Sequence, residues 1–295
     1  MGVVPAVRCG LSRVRARLAS DLEPVAVRER PVAEAVGATL AVALSTGTAP
    51  AGVADAGARI SAAFVSAALG ADAETATVRG PLRADVVMTG DEIRAVGPLG
   101  PGETRDCLGP VMPEFLRACD IESTGLWHLA DSSDLLRFWL SLKSHAELVV
   151  LVGAPDQLRA LLTELGARVI VDGVAIRPGG TTLVAQLPDG RVLLGLPANP
   201  FAAVAALLAV GPAIVDALTL RAPGATMWGR LSDAGVMAGE ATRLVGVRQH
   251  PGGVWRGTGP AHTAHLGGLI PCQALAVLPP GTGRGSLVEL LPIPH

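Results

Sequence analysis

Two spacings of apolar residues divide the chain. Through its middle, short and almost uninterrupted apolar runs at 147–152 and 190–196 alternate with stretches whose apolar residues return every three or four positions. The unbroken runs predict strands buried on both faces, and the spaced ones predict helices. Strands are expected at 84–88, 147–152, 168–172 and 190–196, and helices at 112–119, 135–144 and 156–165. The helix at 135–144 is amphipathic through Leu135, Leu136, Trp139 and Leu142, and Gly166 closes the next one. This order predicts an α/β fold, a mostly parallel sheet with helices on both faces.

The pattern changes toward either end. Residues 1–82 are Ala-rich with weak periodicity, and helices are expected at 11–22, 31–44 and 60–69 around a loop at 45–57. Beyond Arg221, short apolar segments at 241–248, 253–257, 274–278 and 286–291 are separated by Gly and Pro, which predicts a small all-β unit. Arg221-Ala222-Pro223-Gly224 reads as the linker into it. The expected domains are therefore 1–82, a reduced N-terminal helical or linker region; 83–220, α/β; and 221–295, all-β.

Composition narrows the function. Apolar residues make up 49% of the 295 and charged residues 17%, which is globular rather than disordered. Aromatics are 3%, Tyr is absent and the net charge is −2. A nucleic-acid surface needs stacking platforms and a basic excess, so no nucleic-acid partner is expected. The four cysteines, Cys9, Cys107, Cys119 and Cys272, form no C-x-x-C pair, which argues against structural zinc. The N-terminus is broken by Pro5 and by Arg8, Arg13, Arg15 and Arg17, and the longest apolar stretch, 201–215, contains Gly211-Pro212. No signal peptide or membrane span is expected, and a cytoplasmic location follows.

Candidate chemistry gathers where strands end and helices begin. Gly195-Leu196-Pro197-Ala198-Asn199-Pro200 reads as strand, turn and helix start, with Asn199 as N-cap and Pro200 in the first helical position. Such a helix end offers N–H donors to an anion. Thr89-Gly90-Asp91-Glu92 follows the first strand of the α/β unit. Its two carboxylates are either a turn with Asp91 as cap or oxygen ligands for Mg²⁺. Asp106 follows a glycine loop, and Asp131 and Asp156 each precede a helix, where a carboxylate by default caps the first turn. Arg177 in Arg177-Pro178-Gly179-Gly180 is either a solvated arginine or a bidentate oxyanion ligand. His250, His262 and His265 have no metal-ligand spacing, and neither a G-x-S-x-G elbow nor a P-loop occurs.

In this order, Thr89-Gly90-Asp91-Glu92, Gly102-Glu103-Thr104-Arg105-Asp106, Asp131, Asp156-Gln157-Leu158, Arg177-Pro178-Gly179 and Gly195-Leu196-Pro197-Ala198-Asn199-Pro200, the pieces resemble the bacterial molybdopterin molybdenumtransferase family, which includes the C-terminal domain of gephyrin. Thr258-Gly259-Pro260 and residues 274–281 are similar to that family's C-terminal β-barrel, and Asp55-Ala56-Gly57 to a Met-Asp-Gly segment. The resemblance implies Mg²⁺-assisted insertion of molybdenum from molybdate into adenylylated molybdopterin, with release of AMP, in a homodimer. It implies Glu92 and Asp156 at the metal or adenylate, with Asp106 and Asp131 supporting them. It places Thr89, Gly90, Asp91, Gly153, Pro178, Gly179, Gly195, Pro197, Asn199 and Pro200 around the pterin nucleotide. Five departures accompany it: a Gly- and Ser-rich loop is cut to Gly153-Ala154-Pro155, Gly180 replaces a basic residue, Asp106-Cys107-Leu108 replaces Asp-Ser-Asn, Ala198 replaces glycine, and the N-terminal region is short for the family's separate distal domain. The shortened loop keeps a second expectation alive, a non-catalytic paralogue that binds pterin or a partner protein. An adenylyltransferase would resemble the α/β unit alone and leave 222–295 unexplained.

Overall fold

In the computed structural model the residues described are 8–45, 53–153, 155–259 and 265–294. Of these, the side chains of Ser45, Val53, Pro155, Asp156 and Gln157 are not described. Helix α1, Leu11–Asp21, is followed by β1, Arg28–Pro31, and β2, Thr39–Leu40. Helix α2, Ala62–Leu69, and β3, Thr75–Arg79, complete an N-terminal unit whose sheet runs β1-β3-β2. Residues 31–44 are thus not the expected helix. They hold a strand, a short 3-10 turn at Val32–Glu34 and a second strand, with Gly37 at φ +83° reversing the chain between them.

The α/β unit contains β4 (Leu82–Thr89), α3 (Met112–Ala118), β5 (Ile121–Leu129), α4 (Ser133–Ser141), β6 (Leu148–Val152) and α5 (Pro155–Glu164). It continues with β7 (Arg168–Asp172), β8 (Ile176–Arg177), β9 (Leu183–Gln186), β10 (Val192–Leu196) and α6 (Pro200–Thr219). The sheet order is β7-β9-β10-β6-β4-β5. Strands β10, β6, β4 and β5 are mutually parallel, and β9 is antiparallel to both neighbours. Alternation sends Val86, Met88 and Val150 to one face, against α1, α3 and α6, and Val87, Val149 and Leu151 to the other, against α4 and α5. The mostly parallel sheet covered on both faces is as expected. The buried side of α4 is Leu136, Trp139 and Leu140, while Leu135 and Leu142 are exposed.

Helix α6 is long and apolar enough to cross a bilayer, but it is a core helix: 16 of its 20 residues are buried. Beyond it lie β11 (Met227–Leu231), the short helix α7 (Ala234–Met237), β12 (Thr242–Gln249), β13 (Trp255–Gly257), β14 (Ala274–Leu278) and β15 (Ser286–Pro292). Pairing of β12 with β14 closes the series β12-β13-β11-β15-β14 into a small barrel. Strand β8 leaves the α/β unit to pair with β12, which joins the two bodies.

Arg221 is no loose linker. Its guanidinium side chain is 10% exposed. It donates to Asp120 Oδ2 at 2.7 Å, the Gly37 carbonyl at 2.8 Å and Thr39 Oγ1 at 3.1 Å. Arg59 donates to both oxygens of Asp120 at 2.6 Å. Gly57, from the Asp55-Ala56-Gly57 segment, accepts from Ala222 N–H at 2.9 Å. These bonds fasten the N-terminal unit to the end of α6.

Candidate active site

Parallel strands deliver their C-terminal ends to one edge of the sheet, and the signature residues lie there. Thr89 ends β4, is 8% exposed and donates from its hydroxyl to the Val152 carbonyl at the end of β6, at 3.1 Å. Gly153 follows β6 with φ +105°, and a Cβ on it would stand 2.4 Å from Thr89 Oγ1. Gly90, at φ +145°, would press a Cβ on Ile93 and Glu92. These two glycines let neighbouring strand ends close on each other. Gly195 has a different part: it lies inside β10, where a Cβ would meet Leu158 of α5 at 3.0 Å.

Three carboxylates come together at the β4 and β5 ends. Asp91 Oδ1 accepts the Asp131 backbone N–H at 3.0 Å. The Asp131 carboxyl is pushed above the usual carboxylate range by partial burial first, then by the negative charges of Asp91 and Glu92. Asp106 is close in sequence to this corner but differently employed. It is 6% exposed; Oδ1 accepts from Leu108 N–H at 3.0 Å and Gly109 N–H at 2.8 Å, and Oδ2 lies 2.7 Å from His128 Nε2. Asp106 therefore holds a loop and orients His128 on β5, a residue that sequence reasoning missed. Asp156 has its backbone in the first turn of α5, and its side chain lies outside the described residues. Among the described residues no group of three His, Cys, Asp or Glu side chains has metal-holding geometry. Cys119 is no nucleophile: burial first, and then Asp120, push its thiol up to about 12.

A cavity of about 1400 Å³ opens two strands away, between the α/β unit and the barrel. Pro178, Asn199, Phe201 and Ala202 line one side, and Asp233, Glu240 and Arg243 the other, with Arg177 between. Asn199 Oδ1 caps α6 through Ala202 N–H at 3.1 Å, and the Asn199 carbonyl takes Ala203 N–H at 2.9 Å. With Pro200 in the first helical position, Phe201 N–H is the donor left to that turn. Pro197 is half-buried just before the cap. Gly179, at φ +104°, packs on the first turns of α6, where a Cβ would meet Ala206 and Ile176 at 3.1 Å.

Arg177 and Arg243 are register partners in the parallel pair of β8 and β12. Arg243 donates to the Met237 carbonyl at 2.9 Å, whereas Arg177 has no hydrogen bond or ion pair with a described residue. Like charges side by side on neighbouring strands repel. Arg243 carries no motif; the pairing of β8 with β12 is what brings it beside Arg177. Neighbouring strands are about 4.8 Å apart, so the acidic corner lies roughly 10–14 Å from the β10 end along the sheet edge. The corner residues Asp91, Glu92 and Asp131 do not line the cavity, and neither does Asp106.

No family model matches the chain. Molybdopterin molybdenumtransferase of Bacillus subtilis (strain 168) is 32% identical over 139 residues, 44% of this chain. The match spans 31% of that protein, less than a third of its length. A molybdopterin biosynthesis MoeA protein from Pyrococcus horikoshii OT3 superposes with a TM-score of 0.73 at 12% identity, covering 97% of this chain and 100% of that one. A molybdenum cofactor biosynthesis protein from Pyrococcus furiosus gives 0.71 at 16% identity, with 97% and 100% covered.

Proposed function

We propose, for a chain that is MoeA-like in fold and in part of its sequence, that it acts in molybdenum-cofactor synthesis as a molybdopterin molybdenumtransferase. The carrying observation is the Arg177–Arg243 pair: two guanidiniums in register beside the head of α6, one of them with no hydrogen bond or ion pair among the described residues. An oxyanion between them relieves their repulsion, and bidentate N–H donation suits molybdate or phosphate. The Phe201 amide and the partial positive charge of α6 add to the positive field around that oxyanion.

The acidic corner handles the other end of the substrate. Asp91, Glu92 and Asp131 crowd negative charge, and no cation is among the influences on Asp131. A hard-oxygen donor set with surplus charge fits Mg²⁺, which takes one or two carboxylates and completes its shell with water and phosphate. Glu92 and Asp131 would hold the ion, with Asp156 from the start of α5. When bound, Mg²⁺ polarises the phosphoanhydride that breaks to release AMP. Thr89 and Gly153 keep the β4 and β6 ends rigid, and Asp106 fixes the loop behind. The spread between corner and cavity suits an elongated substrate carrying a phosphoanhydride at one end and metal-binding sulfur at the other. The working protein is a cytoplasmic homodimer under this reading.

The test is calorimetry with adenylylated molybdopterin and Mg²⁺, followed by assay of AMP. Binding and AMP release that both fall in Glu92→Gln support the reading; absence of heat and of AMP rejects it. One observation favours the second reading, a non-catalytic binder: α5 begins at Pro155, two residues after Gly153, leaving no room for a longer phosphate loop. Binding without AMP release selects that alternative.

A further inference from the structure

The turn that carries Arg177 has a second cation beside it, brought from the far end of the chain. Residues 8–10 run alongside 173–175: Cys9 bridges Val174 in parallel, Cys9 N–H donates to the Gly173 carbonyl at 3.4 Å and Ala175 N–H to the Cys9 carbonyl at 2.7 Å. The Arg8 side chain then crosses two glycines. A Cβ on Gly173 would stand 3.0 Å from Arg8 Cγ, and one on Gly180 would stand 2.8 Å from Nη1 and 3.2 Å from Cζ. Gly180 does not have a left-handed φ, so its backbone does not demand glycine. The nearest group in that space is the guanidinium of Arg8, a flexible side-chain end, with the Ile176 carbonyl beyond it at 3.2 Å.

The slot holds the stem of Arg8 without neutralising its head. Arg8 has no hydrogen bond or ion pair with a described residue, unlike Arg15, Arg59, Arg94 and Arg221, each paired with a carboxylate. The turn is rigid: Val174 N–H donates to the Gly180 carbonyl at 3.2 Å, and Thr182 donates to the Gly179 carbonyl through both N–H, at 3.2 Å, and hydroxyl, at 2.6 Å. Arg8 and Arg177, neither of them ion-paired with a described residue, thus flank one fixed turn packed on the start of α6. We propose that Arg8 is an anion-binding residue of this site, supplying to an oxyanion or phosphate group the positive charge that Gly180 cannot. The proposal rests on the reading of the cavity as an anion site.

The experiment titrates inorganic molybdate and inorganic phosphate into the full chain by calorimetry, with Arg177→Ala, Arg8→Ala and the double variant Arg8→Ala/Gly180→Lys. In the double variant Arg8 no longer fills the slot, and a lysine at 180, whose Cβ still meets the Ile176 carbonyl at 3.2 Å, places its charge on the same turn. The expected result is about a tenfold loss of affinity in Arg8→Ala, as for one charged hydrogen bond, with most of it recovered in the double variant. If Arg177→Ala loses binding and Arg8→Ala does not, the role of Arg8 is overturned and the anion site stands. Loss in Arg8→Ala without recovery in the double variant also overturns it, since Arg8 is then only a strut for the turn. No binding to the unaltered protein removes both claims. Loss and recovery with Arg177→Ala unchanged keeps Arg8 and removes the pair at Arg177 and Arg243.

Discussion

Asp120 and Asp131 follow neighbouring elements of one unit, yet their surroundings are opposite. Asp120 sits after α3 with Arg59 and Arg221 on its oxygens. Burial alone would raise its carboxyl, but the hydrogen bonds and charges of the two guanidiniums outweigh that and hold it below the usual range. Asp131 sits after β5 among carboxylates, and its carboxyl is held above that range. One position is electrostatically complete and the other is waiting for positive charge. The contrast separates a carboxylate that fastens the fold from one free to serve a ligand, a distinction that residue type alone does not make.

The largest effect expected is at the fastened position. Asp120→Ala leaves Arg221 buried, with no described acid but Asp216, whose nearest oxygen is 3.9 Å away. A loss of about 3 kcal/mol is expected, the lower end of the range for breaking a buried pair. Urea unfolding measures it, and a loss under 1 kcal/mol would mean that Asp120 is not holding the N-terminal unit. The pH dependence has a definite sign. A depressed carboxyl contributes stability that is present above its unfolded value of about 4 and is lost as pH falls through the folded value. The gap between Asp120→Ala and the unaltered protein should therefore close below about pH 4.

The next effect is at Arg177, where stability and binding should part company. Arg177→Ala removes a repulsion with Arg243, so melting temperature should rise slightly or stay level. Molybdate affinity should fall about tenfold, the scale of one charge-assisted hydrogen bond. A variant that loses stability in step with affinity would show Arg177 to be a structural residue, like Arg221.

Much of the α/β core was legible because buried parallel strands leave a signal that little else leaves. The runs at β6 and β10 and the cap at Asn199 are where they were expected. Strand β5 escaped notice because it is an edge strand. Glu122, Ser123, Thr124 and Gly125 break any apolar run, and most of its residues meet solvent. The N-terminal helix expected at 31–44 failed for another reason: its Ala and Val spacing suits a helix, but Gly37 and pairing with β3 decide the outcome. At the site, the order of motifs placed Glu92 and Asp131 at one sheet edge, but Asp106 turns onto its own loop, the Asp156 side chain lies outside the described residues and Asn199 lines a separate cavity. Arg243 and Arg8 did not follow from that order, since each reaches the cavity's turn by a pairing between distant segments that no local pattern encodes. His128 was hidden with β5.

The smallest effect tests the corner itself. Asp131→Asn removes a charge that Asp91 and Glu92 oppose while keeping the side chain's shape and the backbone bond from Asp131 N–H to Asp91. A carboxyl raised in the folded state costs stability above its folded value and costs nothing once pH falls below its unfolded value. Asp131→Asn should therefore be more stable than the unaltered protein at pH 7, and the two should converge near pH 3. The side chain is largely exposed, so screening reduces the gain to a few tenths of a kcal/mol, about 1 °C in a melting scan at low salt. Millimolar Mg²⁺ sharpens the measurement. If the corner takes the ion, Mg²⁺ should stabilise the unaltered protein and erase the advantage of the variant, because the same repulsion is then neutralised by binding. A gain that Mg²⁺ leaves untouched would make the three carboxylates a solvated surface and remove the corner's claim on the substrate.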